Sequence, residues 1–144
     1  MDLKLGGQCA LITGATAGIG EAAAKLFAAE GVRLVLSGRR EDALKTLSEA
    51  IAASGAPAPA IIAGELDSAD GCEKIAAEAL DITDGQIDIL FNNAGASMPL
   101  DNPWDDAKWD ASLQLNFAAS RQMSAAIVPG MQTRKWGRII NTTG

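Results

Sequence analysis

Residues 9–20 read Cys-Ala-Leu-Ile-Thr-Gly-Ala-Thr-Ala-Gly-Ile-Gly, and this stretch decides the fold. Residues 9–13 form an apolar run, which is typical of a strand buried on both faces of a parallel sheet. The glycines that follow permit a tight turn, and residues 18–30 then have helical apolar spacing that ends at Gly31. This spacing predicts one buried helix face, made of Ile19, Ala22, Ala23, Leu26 and Phe27.

A glycine-rich turn between a strand and a helix is suited to binding phosphate. The helix start offers free N–H groups and a partial positive charge, and glycines let a pyrophosphate approach the backbone. The residues expected to bind it are Gly14, Thr16, Gly18, Ile19 and Gly20. We expect a side chain added at Gly14 or Gly20 to fill the pyrophosphate's space while the fold largely survives. A glycine-rich turn without a ligand is the alternative.

Strands and helices alternate along the rest of the chain. Further strands are predicted over residues 32–37, 60–66, 87–91 and 138–142. Helices are predicted over residues 41–53, 69–80 and 105–131, the last with a break expected at Pro129-Gly130. This order predicts an α/β fold of the Rossmann type, a doubly wound parallel sheet with strand order 3-2-1-4-5. We expect residues 1–144 to form a single dinucleotide-binding domain.

Composition excludes several classes of partner and site. The net charge of −6 argues against a nucleic acid partner, because a phosphate backbone attracts positive surfaces. No apolar run is long enough to span a membrane, and residues 1–5 have no signal-peptide features, so we expect a cytoplasmic protein. Cys9 and Cys72 form no CxxC motif and are expected to be reduced core residues. Because the sequence has no histidine, we expect no His-based catalysis and no metal site.

The end of the second strand carries the run Gly38-Arg39-Arg40. An acidic residue here would bind the ribose hydroxyls of NAD and repel a 2′-phosphate. Guanidinium groups instead bind phosphate oxygens in a bidentate manner. We therefore expect NADP as the cofactor, with NAD less favoured and Arg39 as the main contact. A solvated basic pair at a helix start is the alternative.

Further motifs connect these features to a known family. Asp67 follows the third strand, Asn-Asn-Ala-Gly occupies residues 92–95, and Asn116 lies 21 residues after Gly95. With Thr-Gly-x-x-x-Gly-Ile-Gly at 13–20 and Gly-Arg-Ile-Ile-Asn at 137–141, the sequence resembles the short-chain dehydrogenase/reductase family across residues 9–144. The resemblance implies that Asp67 contacts the adenine amino group and that Asn93, Ala94 and Gly95 border the adenosine ribose. It implies a catalytic role for Asn116, which bends its helix and holds a water of the proton relay.

The resemblance also identifies what this sequence lacks. The family uses a Ser, a Tyr and a Lys after the fifth strand, whereas this sequence has no tyrosine and places Gly144 at the usual serine position. Thr143, or a serine beyond Gly144, remains as the hydroxyl candidate. We expect the chain to be the N-terminal part of a reductase of about 250 residues, truncated after strand five and inactive alone. A non-catalytic nucleotide-binding protein is the alternative, and a methyltransferase would need an acidic residue after strand two.

The activity implied by the resemblance is hydride transfer between a nicotinamide and a small carbonyl or alcohol substrate. A 3-oxoacyl thioester is one candidate substrate. The family's pairing of the long helix with its copy implies a homodimer or homotetramer. Apolar residues of that helix are expected to divide between core and interface, and they are Trp109, Leu113, Phe117, Met123, Ile127 and Val128.

Overall fold

The computed structural model describes residues 2–143, so the expectation for Gly144 lies outside the described residues. Five strands alternate with helices along the chain. Their bounds are β1 (Cys9–Thr13), α1 (Gly18–Ala29), β2 (Arg33–Gly38), α2 (Glu41–Ala53), β3 (Ala60–Ala63), α3 (Ala69–Ile82), β4 (Ile89–Asn92), α4 (Asp106–Leu113), a π-helical segment (Gln114–Ala118), α5 (Ala119–Arg134) and β5 (Arg138–Asn141).

The strands form one parallel sheet in the order β3-β2-β1-β4-β5, which confirms the predicted topology. β1 lies at the centre, where Leu11 pairs with Val35 of β2 and Leu90 of β4. Successive residues of a strand point to opposite faces, so each face can support its own layer of helices. The chain therefore has helices on both sides of the sheet, as a doubly wound fold requires.

Two apolar cores lie on the two faces of the sheet. Leu11 belongs to the core beneath α3 and α5, together with Ile75 and Met123. Its neighbour Ile12 belongs to the opposite core, beneath α1 and α2. Cys9 and Cys72 are both buried and free, as expected, and burial raises the pKa of each thiol. Among residues 2–143, no helix has both the length and the apolar character that a membrane span needs.

The buried face of α1 differs from the predicted one. Gly20, Ala24 and Ala28 face the sheet, whereas Ile19 is 60% and Leu26 70% exposed. The reason is the closeness of the helix to the sheet: a Cβ at Gly20 would lie 2.3 Å from the Gly14 carbonyl oxygen. The smallest side chains therefore occupy the contact, and the larger apolar ones lie towards solvent.

The long helix is interrupted earlier than predicted. Pro129 lies inside α5, which continues to Arg134 and ends where Lys135 adopts a left-handed conformation. Proline cannot donate to the carbonyl four residues earlier, but that residue, Ala125, is exposed, so water can replace the donor. The irregularity occurs instead at the π-helical segment.

The ends of the sheet also differ from the sequence-based bounds. β3 stops at Ala63, not Leu66, because its partner β2 ends at Gly38, the residue that pairs with Ala63. All four residues of β5 are exposed, and in the described part of the chain β5 pairs only with β4. Of the apolar residues on the long helix, Met123 and Ile127 are buried. Trp109, Leu113 and Phe117 are exposed.

A buried carboxylate ties together the amino ends of the strands. Asp88 is 4% exposed, and its Oδ2 accepts hydrogen bonds from the Cys9 N–H (2.9 Å) and the Gln86 amide (3.1 Å). Its Oδ1 lies 3.4 Å from Nε of Arg134, which also donates to the carbonyls of Gly85 and Ile87. This network joins β1, β4 and the end of α5 at the amino ends of the strands.

We expect Asp88→Ala to lower the free energy of unfolding by about 3 kcal/mol, because it leaves the Arg134 charge and the Cys9 N–H without their partner. Urea unfolding followed by circular dichroism measures the change. Asp81→Ala, at an exposed position of α3, is the control and should change the value by less than about 0.5 kcal/mol. Equal effects of the two substitutions would contradict this role for Asp88.

Candidate nucleotide-binding cleft

A cleft of about 260 Å³ opens at the carboxyl ends of the central strands. This is where ligands bind in open α/β sheets. Seven of the predicted site residues line it: Gly14, Thr16, Arg39, Arg40, Asn93, Ala94 and Gly95. Ile19 and Asn116 line a neighbouring cleft of about 880 Å³, which Asn93, Ala94 and Gly95 share. Gly18, Gly20 and Asp67 line neither cleft.

The three glycines of the turn differ in what surrounds them in the structure. Gly14 has φ +63°, and a Cβ there would lie 2.8 Å from Cα of Ala94. Side chains at Gly14 or Gly20 would therefore collide with the protein's own backbone, and the expectation that such variants keep the fold largely intact is wrong. Gly18 has φ +55°, and no atom lies within 4 Å of its added Cβ. Of these three glycines, only Gly18 faces open space at the start of α1.

Thr13 links this turn to the end of β4. Its hydroxyl donates to the Phe91 carbonyl (3.4 Å) and accepts from the backbone N–H groups of Asn93 and Ala94, both at 3.1 Å. The Asn93 side chain continues the link, because its Nδ2 donates to the Gly14 carbonyl at 3.0 Å. Its Oδ1 accepts from the Thr142 hydroxyl at 3.1 Å. The ends of β1, β4 and β5 are thus fixed relative to one another.

Asn92 joins β4 to its other neighbours. Its Nδ2 donates to Oδ1 of Asn141 (3.0 Å), to the Ser124 hydroxyl (3.3 Å) and to the Ser120 carbonyl (3.4 Å). The side chain is buried, and its Oδ1 has no hydrogen-bond partner among residues 2–143. The first asparagine of the Asn-Asn-Ala-Gly run therefore holds β5 and α5, and the second holds the glycine turn.

Asn116 lies in the π-helical segment and clamps the loop after β4. Its Oδ1 accepts from the Ala96 N–H and its Nδ2 donates to the Ala96 carbonyl, both at 2.9 Å. Its Nδ2 also donates to the Ser112 hydroxyl at 3.3 Å. Gly95 leaves room for this contact, because a Cβ there would lie 2.8 Å from the Asn116 Oδ1. Asn116 lies within a π-helical turn, and the expected bend of the helix at this residue stays a prediction.

The end of β2 presents two exposed arginines to the cleft. The Arg40 guanidinium lies 3.5 Å from Oδ2 of Asp42. A backbone hydrogen bond from Ala43, supplemented by Arg40, lowers the pKa of the Asp42 carboxyl. Arg39 forms no ion pair within the described residues. Gly38 lies against Thr16, since a Cβ at Gly38 would be 3.1 Å from Cγ2 of Thr16.

The loop after β3 borders the same cleft through Gly64 and Leu66. Asp67, the next residue, is exposed, and Ser68 caps α3 by accepting from the Gly71 N–H at 3.1 Å. Sequence reasoning missed Gln114, whose Nε2 donates to the Leu66 carbonyl at 3.3 Å. The only sequence signal was a second side-chain amide two residues before Asn116. Within residues 2–143, no group of three or more potential metal ligands comes together.

Comparison with known proteins agrees with this geometry. The family profile described as short chain dehydrogenase matches residues 8–144. The 3-oxoacyl-[acyl-carrier-protein] reductase of Escherichia coli is 31% identical, covering 93% of this chain and 53% of that protein. The structure of a metagenomic short-chain oxidoreductase in complex with NADP has a TM-score of 0.86 at 35% identity, covering 95% of this chain and 62% of that one.

A 7α-hydroxysteroid dehydrogenase complexed with NADH and 7-oxo glycochenodeoxycholic acid has a TM-score of 0.90 at 31% identity, covering 97% of this chain and 54% of that one. The chain spans about half the length of the curated relatives it matches. The profile match extends over nearly all of the chain, and the strand order, glycine turn and Asn-Asn-Ala-Gly run agree with it. The chain therefore belongs to the short-chain dehydrogenase family of oxidoreductases.

Proposed function

We propose that this chain binds NADP(H) in preference to NAD(H), as the cofactor-binding part of a carbonyl reductase or alcohol dehydrogenase. The observation that carries this proposal is the pair of arginines at the end of β2, on the rim of a cleft whose floor is a glycine turn. Residues 1–144 are proposed to act as one dinucleotide-binding domain. We also propose a cytoplasmic location, as expected from the sequence, and a homodimer or homotetramer, which the family resemblance implies.

The pyrophosphate is proposed to lie over the glycine turn, at the amino end of α1. Gly18 leaves open space there, and Ala17, the N-cap residue, makes no side-chain capping bond, so free N–H groups remain for an anion. Glu21 is the acidic residue in the first turn, and it is bound to Lys25 at 2.6 Å. That ion pair weakens its repulsion of a phosphate.

The 2′-phosphate is proposed to bind Arg39, with Thr16 beside it. Arg40 is engaged with Asp42, whereas Arg39 has no ion pair among the described residues and can meet a phosphate with its full donor set. Gly38 has no side chain, so the ribose can lie close to the end of the strand. The position also carries no acidic group that would repel the 2′-phosphate. Asp67 and Leu66 are proposed to border the adenine.

The substrate is proposed to enter the larger cleft, where Asn116, Ser112, Ser120 and Thr143 supply polar groups. The bound nicotinamide supplies or accepts the hydride at the carbonyl carbon. Asn116 fixes the Ala96 loop and so shapes the floor of this cleft. A ketone or a 3-oxoacyl thioester is the proposed substrate class, and the relative from Escherichia coli supports the thioester.

A non-catalytic nucleotide-binding role for residues 1–144 is the second candidate, favoured by the absence of tyrosine from the sequence. Reduction of a ketone leaves a developing alkoxide that needs a proton donor and hydrogen bonds. Hydroxyl and amide groups such as Thr143 and Asn116 can donate hydrogen bonds but are poor acids at neutral pH. The two candidates therefore differ in turnover rather than in cofactor binding.

We expect Arg39→Glu to weaken NADPH binding by about 10- to 150-fold, the loss of one charge-assisted hydrogen bond. NADH binding should weaken much less, because NADH has no 2′-phosphate. Fluorescence titration of both cofactors measures the two dissociation constants. Arg121→Glu makes the same charge change on the exposed surface of α5 and serves as the control. Equal affinities of the unmodified protein for NADPH and NADH would disprove the preference.

Gly18→Ala tests the position of the pyrophosphate. The left-handed φ costs alanine about 1–2 kcal/mol of stability, but no clash occurs, so the protein should fold. NADPH affinity should fall at least about 10-fold, since the new methyl group occupies the phosphate's side of the turn. Gly55→Ala is matched to it, with φ +93° and no atom within 4 Å of the added Cβ, but it is remote from the cleft. An unchanged affinity in folded Gly18→Ala would place the phosphate elsewhere.

Residues 1–144 on their own should not oxidise NADPH with ketones or 3-oxoacyl thioesters above the no-enzyme control, because they contain no tyrosine to donate the proton. The assay follows NADPH absorbance with a protein of verified mass. Turnover that disappears in Asn116→Ala would show that these residues are sufficient for the chemistry.

A further inference from the structure

Two side-chain amides of the π-helical segment hold two different loops of the cleft. Asn116 binds Ala96, in the loop after β4, through two hydrogen bonds of 2.9 Å. Gln114, two residues earlier, donates to the carbonyl of Leu66, in the loop after β3, at 3.3 Å. Leu115, between them, lines the cleft itself. The segment therefore reaches two of the loops that border the cleft.

The Gln114 amide nitrogen has acceptors for both of its hydrogens. Besides the Leu66 carbonyl, it donates to Oε1 of Gln122 at 2.9 Å, and Gln122 lies on α5. Gln114 and Gln122 are both partly buried, and Leu66 is 7% exposed. Sharing one donor group between a loop carbonyl and a helix side chain limits the positions that the amide can occupy.

The Leu66 carbonyl needs a donor of this kind. After β3 the Gly64 N–H still donates to the Gly38 carbonyl of β2 at 3.0 Å, but the Leu66 carbonyl, two residues further on, has no backbone donor among the described residues. A buried carbonyl without a donor costs free energy comparable to a lost hydrogen bond. The Cys72 thiol lies 3.9 Å from the same oxygen and is a weak donor, which leaves Gln114 as the stronger partner. On the other side, Ser68 caps the start of α3 by accepting from the Gly71 N–H, which fixes the direction of the chain there.

We propose that Gln114 is a positioning residue for the adenosine end of the bound cofactor. By holding the Leu66 carbonyl, it sets where Leu66 and Asp67 meet the adenine. This inference rests on the proposed function, since it takes the cleft at Leu66 to be the adenine site. The role needs the amide nitrogen rather than the bulk of the side chain. A carboxylate at position 114 would place an oxygen against the Leu66 carbonyl and repel it.

Gln114→Glu tests the proposal with a nearly isosteric side chain. Its dissociation constants for NADPH and for adenosine 2′,5′-bisphosphate should rise by the same factor, about 5- to 20-fold, the effect of one lost hydrogen bond. The bisphosphate contains the adenosine end and no nicotinamide, so equal factors place the effect at the adenosine end of the cofactor. Gln132→Glu makes the same change at an exposed position of α5 and should leave both constants unchanged.

Combination with Asp67→Ala separates positioning from a general loss of stability. If Gln114 acts through the Leu66–Asp67 loop, Gln114→Glu should weaken binding much less in the Asp67→Ala protein than in the unmodified one. Full additivity of the two substitutions, or an unchanged affinity in folded Gln114→Glu, would overturn the proposal. Absence of NADPH and bisphosphate binding in the unmodified protein would instead overturn the proposed function.

Discussion

The structure depends on the close approach of two backbones, that of the turn after β1 and that of the end of β4. Only glycine fits at residue 14, where a Cβ would lie 2.8 Å from Ala94, and the Thr13 hydroxyl and Asn93 amide bridge the same gap. The approach makes the floor of the cleft rigid backbone rather than mobile side chains. Gly14 and Gly20 are therefore required by the fold itself, apart from any contact with a ligand.

The polar groups around the sheet lie at the two ends of its strands, some at the amino ends and some at the carboxyl ends. At the amino ends, Asp88 and Arg134 form an ion pair and bond to several backbone groups, so these polar groups already have partners within the protein. At the carboxyl ends, Thr13 and Asn93 bond to the loops. The start of α1 and the two arginines at the end of β2 remain accessible from the cleft. The donors left open at the carboxyl ends of the strands are therefore available to a ligand with phosphate groups.

Much of this fold followed from short-range patterns, because apolar runs indicate strands locally and the right-handed crossover rule then leaves few possible strand orders. The packed face of α1 did not follow, because hydrophobicity favours Leu26 while the nearness of the sheet selects Gly20. The role of Gln114 did not follow from the sequence for a related reason. Its partner, the Leu66 carbonyl, is 48 residues away, and no local sequence pattern indicates which backbone carbonyl a distant side chain will bind.

The π-helical segment amounts to one residue inserted into an otherwise continuous helix. Deleting any one of residues 114–118 would restore regular α-helical bonding and rotate everything after it relative to everything before it by about 100° about the helix axis. Because Met123 and Ile127 hold α5 in the core and α4 buries no residue, the rotation would fall on α4 and on the contacts of Gln114 and Asn116 with the loops. The length of this segment is therefore constrained as tightly as its composition. Substitutions on the exposed side of the helix leave this geometry unchanged, whereas a single-residue deletion within the segment would alter it.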